Sequence, residues 1–345
     1  MGVIKVLIVD DSAFVRTTYK NLLEHDPEIV VIGTASDPYI AVQKIQKEKP
    51  DVITLDIEMP RMDGLTFLKK LMAQAPMPVI VISNQSVKGA EVAIKALEMG
   101  AVDVIAKPSL ATEQEINESR INLVDKVRSA YQTTIKKIDT GRGVQKPIGV
   151  RKKLTIANSV IAIGASTGGT EAIKRFLEQL PAMMPPIVVV QHMPEKFTAS
   201  FAKRLNDHCA LKVKEAEDKE QLLPGTVYIA QGNHHMAVQL LHGKECLKVF
   251  HADLVNRHRP SVNVLFNSVA EVKGKNAIGI ILTGMGDDGA SGMLAMYNKG
   301  AYTFAQDETS CVVFGMPQRA IAAGGVTRIL PISEMATEVC EHVHL

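Results

Sequence analysis

Five polar side chains in the first third of the chain stand where a phosphoryl site would need them. Short apolar runs end in Asp10-Asp11, in Asp56, in Ser83 and in Lys107-Pro108. If those runs are parallel strands, their carboxyl ends share one edge, the edge at which open α/β sheets bind ligands. Three carboxylates at one spot repel each other unless a divalent cation neutralises them, and hard oxygen ligands suit Mg²⁺. A carboxylate beside such a cation, with a fixed ammonium and a hydroxyl donor, can attack a phosphoryl group while the cation and ammonium take up the charge. Aspartates often end strands merely as turn residues. Against that reading stands the coincidence of all five at strand ends in one register.

A second constellation begins in IAIGASTGGTEAI, residues 161 to 173. An apolar, β-leaning run stops at Gly164, and Gly164-Ala165-Ser166-Thr167-Gly168 matches GxSxG between a strand and a helix. A serine on such a turn is lifted clear of its neighbours, and the helix N-terminus offers N–H groups to an oxyanion. Phosphate binding is the rival, but neither GxxxxGK[ST] nor GxGxxG is present. A plain helix cap by Ser166 or Thr167 is the simplest alternative. A nucleophilic serine needs a base, and the base an orienting acid. The run PIVVVQ leads into His192, and IGIILTG leads into Met285-Gly286-Asp287-Asp288-Gly289. Both lie at carboxyl ends of neighbouring strands, on the edge of Ser166. Chemistry alone does not separate Asp287 from Asp288. The order Ser, His, Asp also differs from that of α/β-hydrolases. His234-His235 would point to opposite faces of a strand, and there is no HExxH, so zinc hydrolysis is disfavoured.

These residues are positioned by two α/β units. Strands are expected at 5–10, 29–35, 52–56, 78–83 and 102–107, with segments of 3- and 4-spaced apolar residues between them. That pattern gives a five-stranded, parallel, doubly wound sheet. A long last helix is expected over roughly 112–138. The second half restarts at NSVIAIG (158–164) and continues through PIVVVQ, TVYIAQ, NAIGIILTG and AYTFAQ. HHMAVQLLHGKECLKVF (234–250) reads as two strands around a His-Gly-Lys turn. The expectation is a second, mainly parallel α/β sheet carrying an antiparallel hairpin.

With 345 residues the chain is too long for one comfortable core, and an apolar content of 46% lets both units be globular. No apolar run approaches the ~20 residues of a membrane span, and the start reads as a strand, not a leader. Cys209, Cys246, Cys311 and Cys340 lie far apart and form no CxxC, as expected of ordinary thiols in a reducing cytoplasm. Residues 1–139 and 154–345 carry net charges of −2 and −1, while 140–153 hold five basic side chains and no acidic one. The positive charge therefore sits in a tether, with a docking strip for an acidic partner or for the membrane surface as the sharper reading. Neither half has the basic stripe of a nucleic-acid binder.

The set DD…D…S…KP, with DIEMPRMDG after the third strand, resembles the receiver domain of two-component response regulators over about residues 3–125. The resemblance implies that a histidine kinase phosphorylates Asp56. It implies that Asp10, Asp11, Asp56 and the Glu58 carbonyl hold Mg²⁺, and that Ser83 and Lys107 bind and report the phosphoryl group. Where the family often has an aromatic switch residue, three before the lysine, this chain has Val104. A receiver followed by GASTGG, VVQHMP, RPSVNVLFNS, ILTGMGDDGASGM and VVFGMP resembles the CheB family of chemotaxis protein-glutamate methylesterases along essentially the whole chain.

That resemblance implies Ser166 as nucleophile, His192 as base, Asp288 as orienting acid, and the Met285 N–H with Thr167 as oxyanion support. It implies demethylation of glutamate methyl esters, and deamidation of glutamines, on the cytoplasmic helices of chemoreceptors. The unphosphorylated receiver would pack over the esterase mouth, and no cofactor would serve the esterase site. The organisation expected is a receiver over 1–125, a helix extension and basic linker over 126–153, and a catalytic domain over 154–345. The protein is expected to be a cytoplasmic monomer with no membrane insertion. A serine esterase for small-molecule esters under receiver control is the alternative.

Overall fold

The computed structural model describes residues 2–59, 63–108, 111–133 and 158–343. They form two compact units, one before residue 134 and one after residue 157. The basic segment 140–153 and the end of the expected 112–138 helix lie outside the described residues.

The first unit alternates β1 (Ile4–Val9), α1 (Ala13–Leu23), β2 (Ile29–Ala35), α2 (Pro38–Lys47), β3 (Val52–Asp56), α3 (Gly64–Gln74), β4 (Val79–Ser83), α4 (Val87–Glu98), β5 (Asp103–Ala106) and α5 (Glu113–Tyr131). The strands make one sheet in the order β2-β1-β3-β4-β5, parallel throughout. Every residue of β3 and β4 is buried, as continuous β-branched runs require when helices cover both faces. One face packs Ile8, Val52, Ile80 and Ile82 against Tyr19, Leu23, Leu123 and Val127 of α1 and α5.

Helix starts follow local chemistry. The side chains of Ser12, Asp37, Asp63 and Ser86 accept N–H groups of the first turns of α1 to α4. Thr112 and Glu115 form a reciprocal capping box at α5. One feature has no local signal. Lys126 of α5 reaches Asp103 at the start of β5 at 2.7 Å, with both side chains less than a tenth exposed.

The second unit contains β6 (Val160–Ala165), α6 (Gly169–Leu177), β7 (Ile187–Gln191), α7 (Phe197–Asn206), β8 (Lys212–Glu215), β9 (Thr226–Ile229), β10 (His235–Leu241), β11 (Lys244–Phe250), α8 (Val262–Lys273), β12 (Ala277–Ile281), α9 (Ala290–Asn298), β13 (Tyr302–Gln306), α10 (Met316–Ala322), β14 (Arg328–Leu330) and α11 (Ile332–Val343). Seven strands form a parallel sheet in the order β14-β13-β12-β6-β7-β9-β8. β10 and β11 form the expected antiparallel hairpin. Its two-residue loop, His242-Gly243, has positive φ at both positions (51° and 76°), the I′ geometry that matches strand twist. α8 packs on β6, β10 and α9, and Phe266 and Val262 of α8 lie in the main core.

The expected strands are all present, and two were not expected. β8 and β14 are short outer strands, and charged residues interrupt their alternation (Lys-Val-Lys-Glu and Arg-Ile-Leu). Edge strands are kept short and charged to prevent edge-to-edge pairing, which erases the periodic signal. The four cysteines are unpaired thiols.

The buried Lys126–Asp103 pair yields a test. Removing one partner leaves a buried charge uncompensated, so Lys126→Met should destabilise the first unit by about 3 kcal/mol. Adding Asp103→Leu should recover most of that loss. Urea unfolding of the two variants against the parent chain measures both.

Candidate functional site

The carboxyl edge of the five-stranded sheet gathers the acidic residues. Asp10 and Asp56 are buried and Asp11 is exposed, and one carboxylate oxygen from each lies within 4.8 Å of the others. Lys107 Nζ sits 2.8 Å from Asp56 Oδ2 and 3.8 Å from Asp10 Oδ2. Asp56 Oδ1 accepts the Glu58 N–H at 2.9 Å, and Asp10 Oδ1 accepts the Ser12 N–H at 2.8 Å. The other Asp10 oxygen is buried and accepts no hydrogen bond from a described residue.

Burial, and then the charge of Asp56, push the Asp10 carboxyl up to about 6, against the Ser12 N–H and Lys107. At Lys107 burial acts to lower the value. The hydrogen bond and charge of Asp56, with Asp10 and Asp11, outweigh it and hold the ammonium above the ordinary lysine range. An underneutralised set of carboxylate oxygens, one of them buried without a donor, fits a hard divalent cation.

Ser83 is buried at the end of β4, its hydroxyl donating to Asn84 O at 3.4 Å. Glu58 is exposed, and its carboxylate takes a hydrogen bond from Asn84 Nδ2. Val104 is buried within β5 beside Val81. Sequence reasoning missed Arg16, whose Nη1 donates to the carbonyls of Asp10 (2.7 Å) and Asp11 (2.9 Å). It fixes the loop that carries two of the carboxylates, and a lone arginine five residues downstream gives no pattern to find.

The raised Asp10 value predicts a pH dependence. A folded value of about 6 above an unfolded value of 3.8 is stabilising only while Asp10 holds its proton. That stability is complete below the unfolded value and lost as pH rises through about 6. Without Mg²⁺, Asp10→Asn should therefore melt higher than the parent at pH 8, by several degrees, on the order of 2 kcal/mol. The gap should close by pH 4, as calorimetry across that range measures.

In the second unit the expected residues come from three adjacent central strands. Ser166 follows β6, His192 follows β7, and the 283–289 loop follows β12. The pairing Ala165↔Gln191 puts Ser166 and His192 side by side on neighbouring strands, and Gly164↔Ile281 sets β12 on the other flank. β6 is where connections leave in both directions across the sheet, the switch point at which such folds place ligands. Ser166, Thr167, His192 and Asp288 are all buried.

The capping alternative for Ser166 is not realised. The residue that caps α6 is Gly168, φ +77°, and no side chain caps the helix. The Ser166 N–H donates to Thr283 O at 3.0 Å, and the Ser166 carbonyl accepts Gln191 Nε2 at 2.8 Å. A Cβ on Gly284 would stand 2.7 Å from Ser166 Cβ, so only glycine lets the two loops approach. Thr283 ties the same corner together: its hydroxyl bonds to Thr167 O at 3.0 Å and accepts the Val312 and Val313 N–H groups.

The ambiguous aspartate pair is resolved by burial. Asp287 is exposed and bonded by Asn256 Nδ2 at 3.3 Å. Asp288 is buried and meets four donors: His192 Nε2 at 2.8 Å, the Val262 N–H at 2.6 Å, Ser261 Oγ at 2.7 Å and the Asn263 N–H at 3.1 Å. Two of these are backbone groups at the start of α8, where the helix dipole favours an anion. Burial pushes the Asp288 carboxyl up. The hydrogen bond and charge of His192, then His258 and the Ser261 hydroxyl, outweigh it and leave the carboxyl below the ordinary value.

An ionised Asp288 makes Nε2 the protonated nitrogen of neutral His192, so Nδ1 is the nitrogen that can take a proton. Ser166 Oγ makes no hydrogen bond to His192. The two sit on neighbouring strand ends without being joined, as catalytic pairs often do before substrate binds. The Met285 N–H, next to Gly284, bonds to no described residue.

Beyond the expected residues, the site contains His235, Ser261 and His258. His235 is buried, which lowers its value, against the raising effect of the Asp253 carbonyl. Its Nδ1 accepts the Ser261 N–H at 3.2 Å and its Nε2 donates to Asp253 O at 2.9 Å. His258 stacks on His192. RPSVNV read only as a family motif, and no spacing links it to residue 192. Among the described residues Asp10, Asp11 and Asp56 form the only three-residue group suited to a metal.

Known proteins match both halves. The model of the CheB methylesterase family matches residues 161–339, and that of the response regulator receiver domain matches 6–118. A protein-glutamate methylesterase/protein-glutamine glutaminase of Geobacter metallireducens is 50% identical over 98% of this chain and 99% of its own length. One of Rhodospirillum rubrum is 51% identical over 97% of each. The crystal structure of the Thermotoga maritima CheB methylesterase catalytic domain is 39% identical, with a TM-score of 0.53. It covers 54% of this chain and 99% of that domain. With half its residues shared along nearly its whole length, and with receiver and esterase motifs each on its own sheet, the chain belongs to the CheB methylesterase family.

Proposed function

We propose that this chain hydrolyses γ-glutamyl methyl esters, and deamidates glutamines, on chemoreceptor cytoplasmic helices, under control of phosphorylation at Asp56. The observation that carries the reading is the buried His192–Asp288 pair, formed from the ends of the two strands that flank β6 and Ser166. The relatives' names supply the substrate class.

Ser166 Oγ attacks the ester carbonyl carbon while His192 Nδ1 takes its proton. The imidazolium keeps Nε2–H on Asp288, whose fixed charge stabilises it without accepting that proton. The tetrahedral oxyanion accepts the Met285 N–H, with Thr167 at the turn; losing one such donor typically costs about 10²–10³ in rate. Collapse breaks the bond to the methoxy group, which leaves as methanol with the proton from His192. Water then attacks the acyl-serine, giving its proton to His192, and the product is a glutamate carboxylate and free Ser166. A glutamine side chain follows the same path with ammonia as leaving group.

In the receiver, Asp10, Asp11, Asp56 and the Glu58 carbonyl would hold Mg²⁺, which supplies positive charge at the phosphoryl oxygens. Asp56 Oδ attacks phosphorus of a histidine kinase's phosphohistidine, and the imidazole leaves. Lys107, now paired with Asp56, and the Ser83 hydroxyl then bind phosphoryl oxygens. With Val104 inside β5, the signal cannot pass through an aromatic rotamer. The organisation is a receiver over 1–125, a connecting segment over 126–153 and a catalytic domain over 154–345, acting as a cytoplasmic monomer. Among the described residues no helix is long and apolar enough to cross a membrane. The receiver restrains the esterase by a coupling of roughly 1–3 kcal/mol that phosphorylation reverses.

Methanol release from methylated receptor membranes tests this. Ser166→Ala should abolish release. Asp288→Asn should lower kcat by about 10²–10⁴, and Asp287→Asn by no more than a few-fold. A small phosphodonor with Mg²⁺ should accelerate the parent chain and not Asp56→Asn. Release at parent rate by Ser166→Ala would overturn the nucleophile.

Restraint by the receiver has its own check. Residues 150–345 alone should release methanol about 5- to 150-fold faster than the unphosphorylated full chain, the span of such a coupling. Equal rates would remove the restraint from the mechanism.

A further inference from the structure

His258 lies flat against the proposed base. Its ring centroid is 3.7 Å from that of His192, with the planes 14° apart. His192 Nε2 bonds to Asp288 Oδ2 at 2.8 Å. A hydrogen bond at one corner of an imidazole fixes that nitrogen and does not by itself fix the plane of the ring. A flat neighbour at van der Waals distance restrains tilt. The two constraints are therefore orthogonal: Asp288 sets the tautomer and the edge, and His258 sets the plane.

The chain invests conformational strain in placing that ring. Val255 and His258 exchange both backbone hydrogen bonds, at 3.1 and 3.0 Å, across the two-residue turn Asn256-Arg257. Both central residues are left-handed, with φ of 50° and 67°. Such turns favour glycine, above all at the second position, where this chain has arginine. Strain of this kind persists only where the surroundings enforce it. Here Asn256 is held on both sides, by Asn263 Nδ2 at 3.0 Å and through its own amide to Asp287 Oδ1 at 3.3 Å. Beyond the turn, Arg259 is fixed to Asn233 Oδ1 at 2.8 Å and Ala252 O at 2.7 Å. The turn that carries His258 is thus tied to the 261–263 segment that bonds Asp288 and to the 287–289 loop that contains it.

We infer that His258 is a positioning residue of the esterase, which holds the plane of the His192 ring so that Nδ1 meets both the Ser166 hydroxyl and the leaving group. The inference rests on His192 acting as the base of Ser166. Its role is one of geometry, so a flat aromatic ring without titratable nitrogens should serve in its place.

The test uses the full-length chain with phosphodonor and Mg²⁺ on methylated receptor membranes. His258→Ala should lower kcat by about 10- to 100-fold, the cost of a slightly misplaced catalytic group, with KM changed less than about three-fold. His258→Phe should recover most of the loss. Side-chain ¹H–¹⁵N correlation spectra of His192 give a readout apart from activity. The parent should show one neutral tautomer, protonated at Nε2, with ring protons shifted upfield by the stacked ring. His258→Ala should keep the Nε2-protonated tautomer, which Asp288 sets, and lose the upfield shift, and His258→Phe should restore the shift.

Should His258→Ala fail to fold, His258→Leu against His258→Phe carries the same comparison. Unchanged kcat and unchanged His192 signals in His258→Ala would overturn the inference alone. So would a His258→Phe variant as slow as His258→Ala. A parent chain whose His192 is not protonated at Nε2 would overturn the His192–Asp288 reading as well.

Discussion

The esterase unit is organised around one buried anion. Asp288 is withdrawn from water, and an isolated carboxylate there would take up a proton rather than remain charged. It stays ionised because four donors converge on it, two of them backbone groups at the start of α8 and one the proposed base itself. Each donor commits a piece of chain. The amides commit the start of α8, Ser261 commits the turn before it, and His192 commits the end of β7. His235 extends the commitment to the hairpin, since the Ser261 N–H it accepts can only donate. A neutral His235 is thus a condition of the arrangement. Charge satisfaction at one residue draws together segments spread from 192 to 288.

The Ser166 corner depends on a different constraint, close approach. Gly284 touches Ser166 where no Cβ would fit, and the Thr283 hydroxyl ties the Thr167 carbonyl to the Val312 and Val313 amides. The receiver shows the converse of the esterase logic. Among the described residues its carboxylates are left short of donors: one oxygen of Asp10 is buried without any, and Lys107 lies against both Asp10 and Asp56. One site is saturated so that its charge stays put. The other is left unsaturated, an arrangement that could hold a metal ion.

Much of this was legible in the amino acids. Buried parallel strands announce themselves as β-branched runs, and the caps Ser12, Asp37, Asp63, Ser86 and Thr112 mark helix starts by their own chemistry. The polar residues that end those runs mark the site edges, because parallel strands all terminate on one side. Asp10, Asp56, Ser83 and Lys107, and likewise Ser166 and His192, followed from that rule. The edge strands β8 and β14 were not legible, since charges placed against aggregation interrupt their alternation. Lys126 gave no sign of being buried, because its partner Asp103 lies on another element.

The sequence by itself determined which elements form, which ends carry chemistry, and which residue types stand there, because these are properties of short segments and their spacing. Only the tertiary structure buried Asp288 and exposed Asp287, set His192 with Nε2 toward Asp288, excluded Ser166 and Thr167 as helix caps, and laid His258 on His192. Those outcomes turn on burial and on which donors meet across strands far apart in the chain. Neighbours in sequence can differ in both, as an exposed Asp287 and a buried Asp288 do.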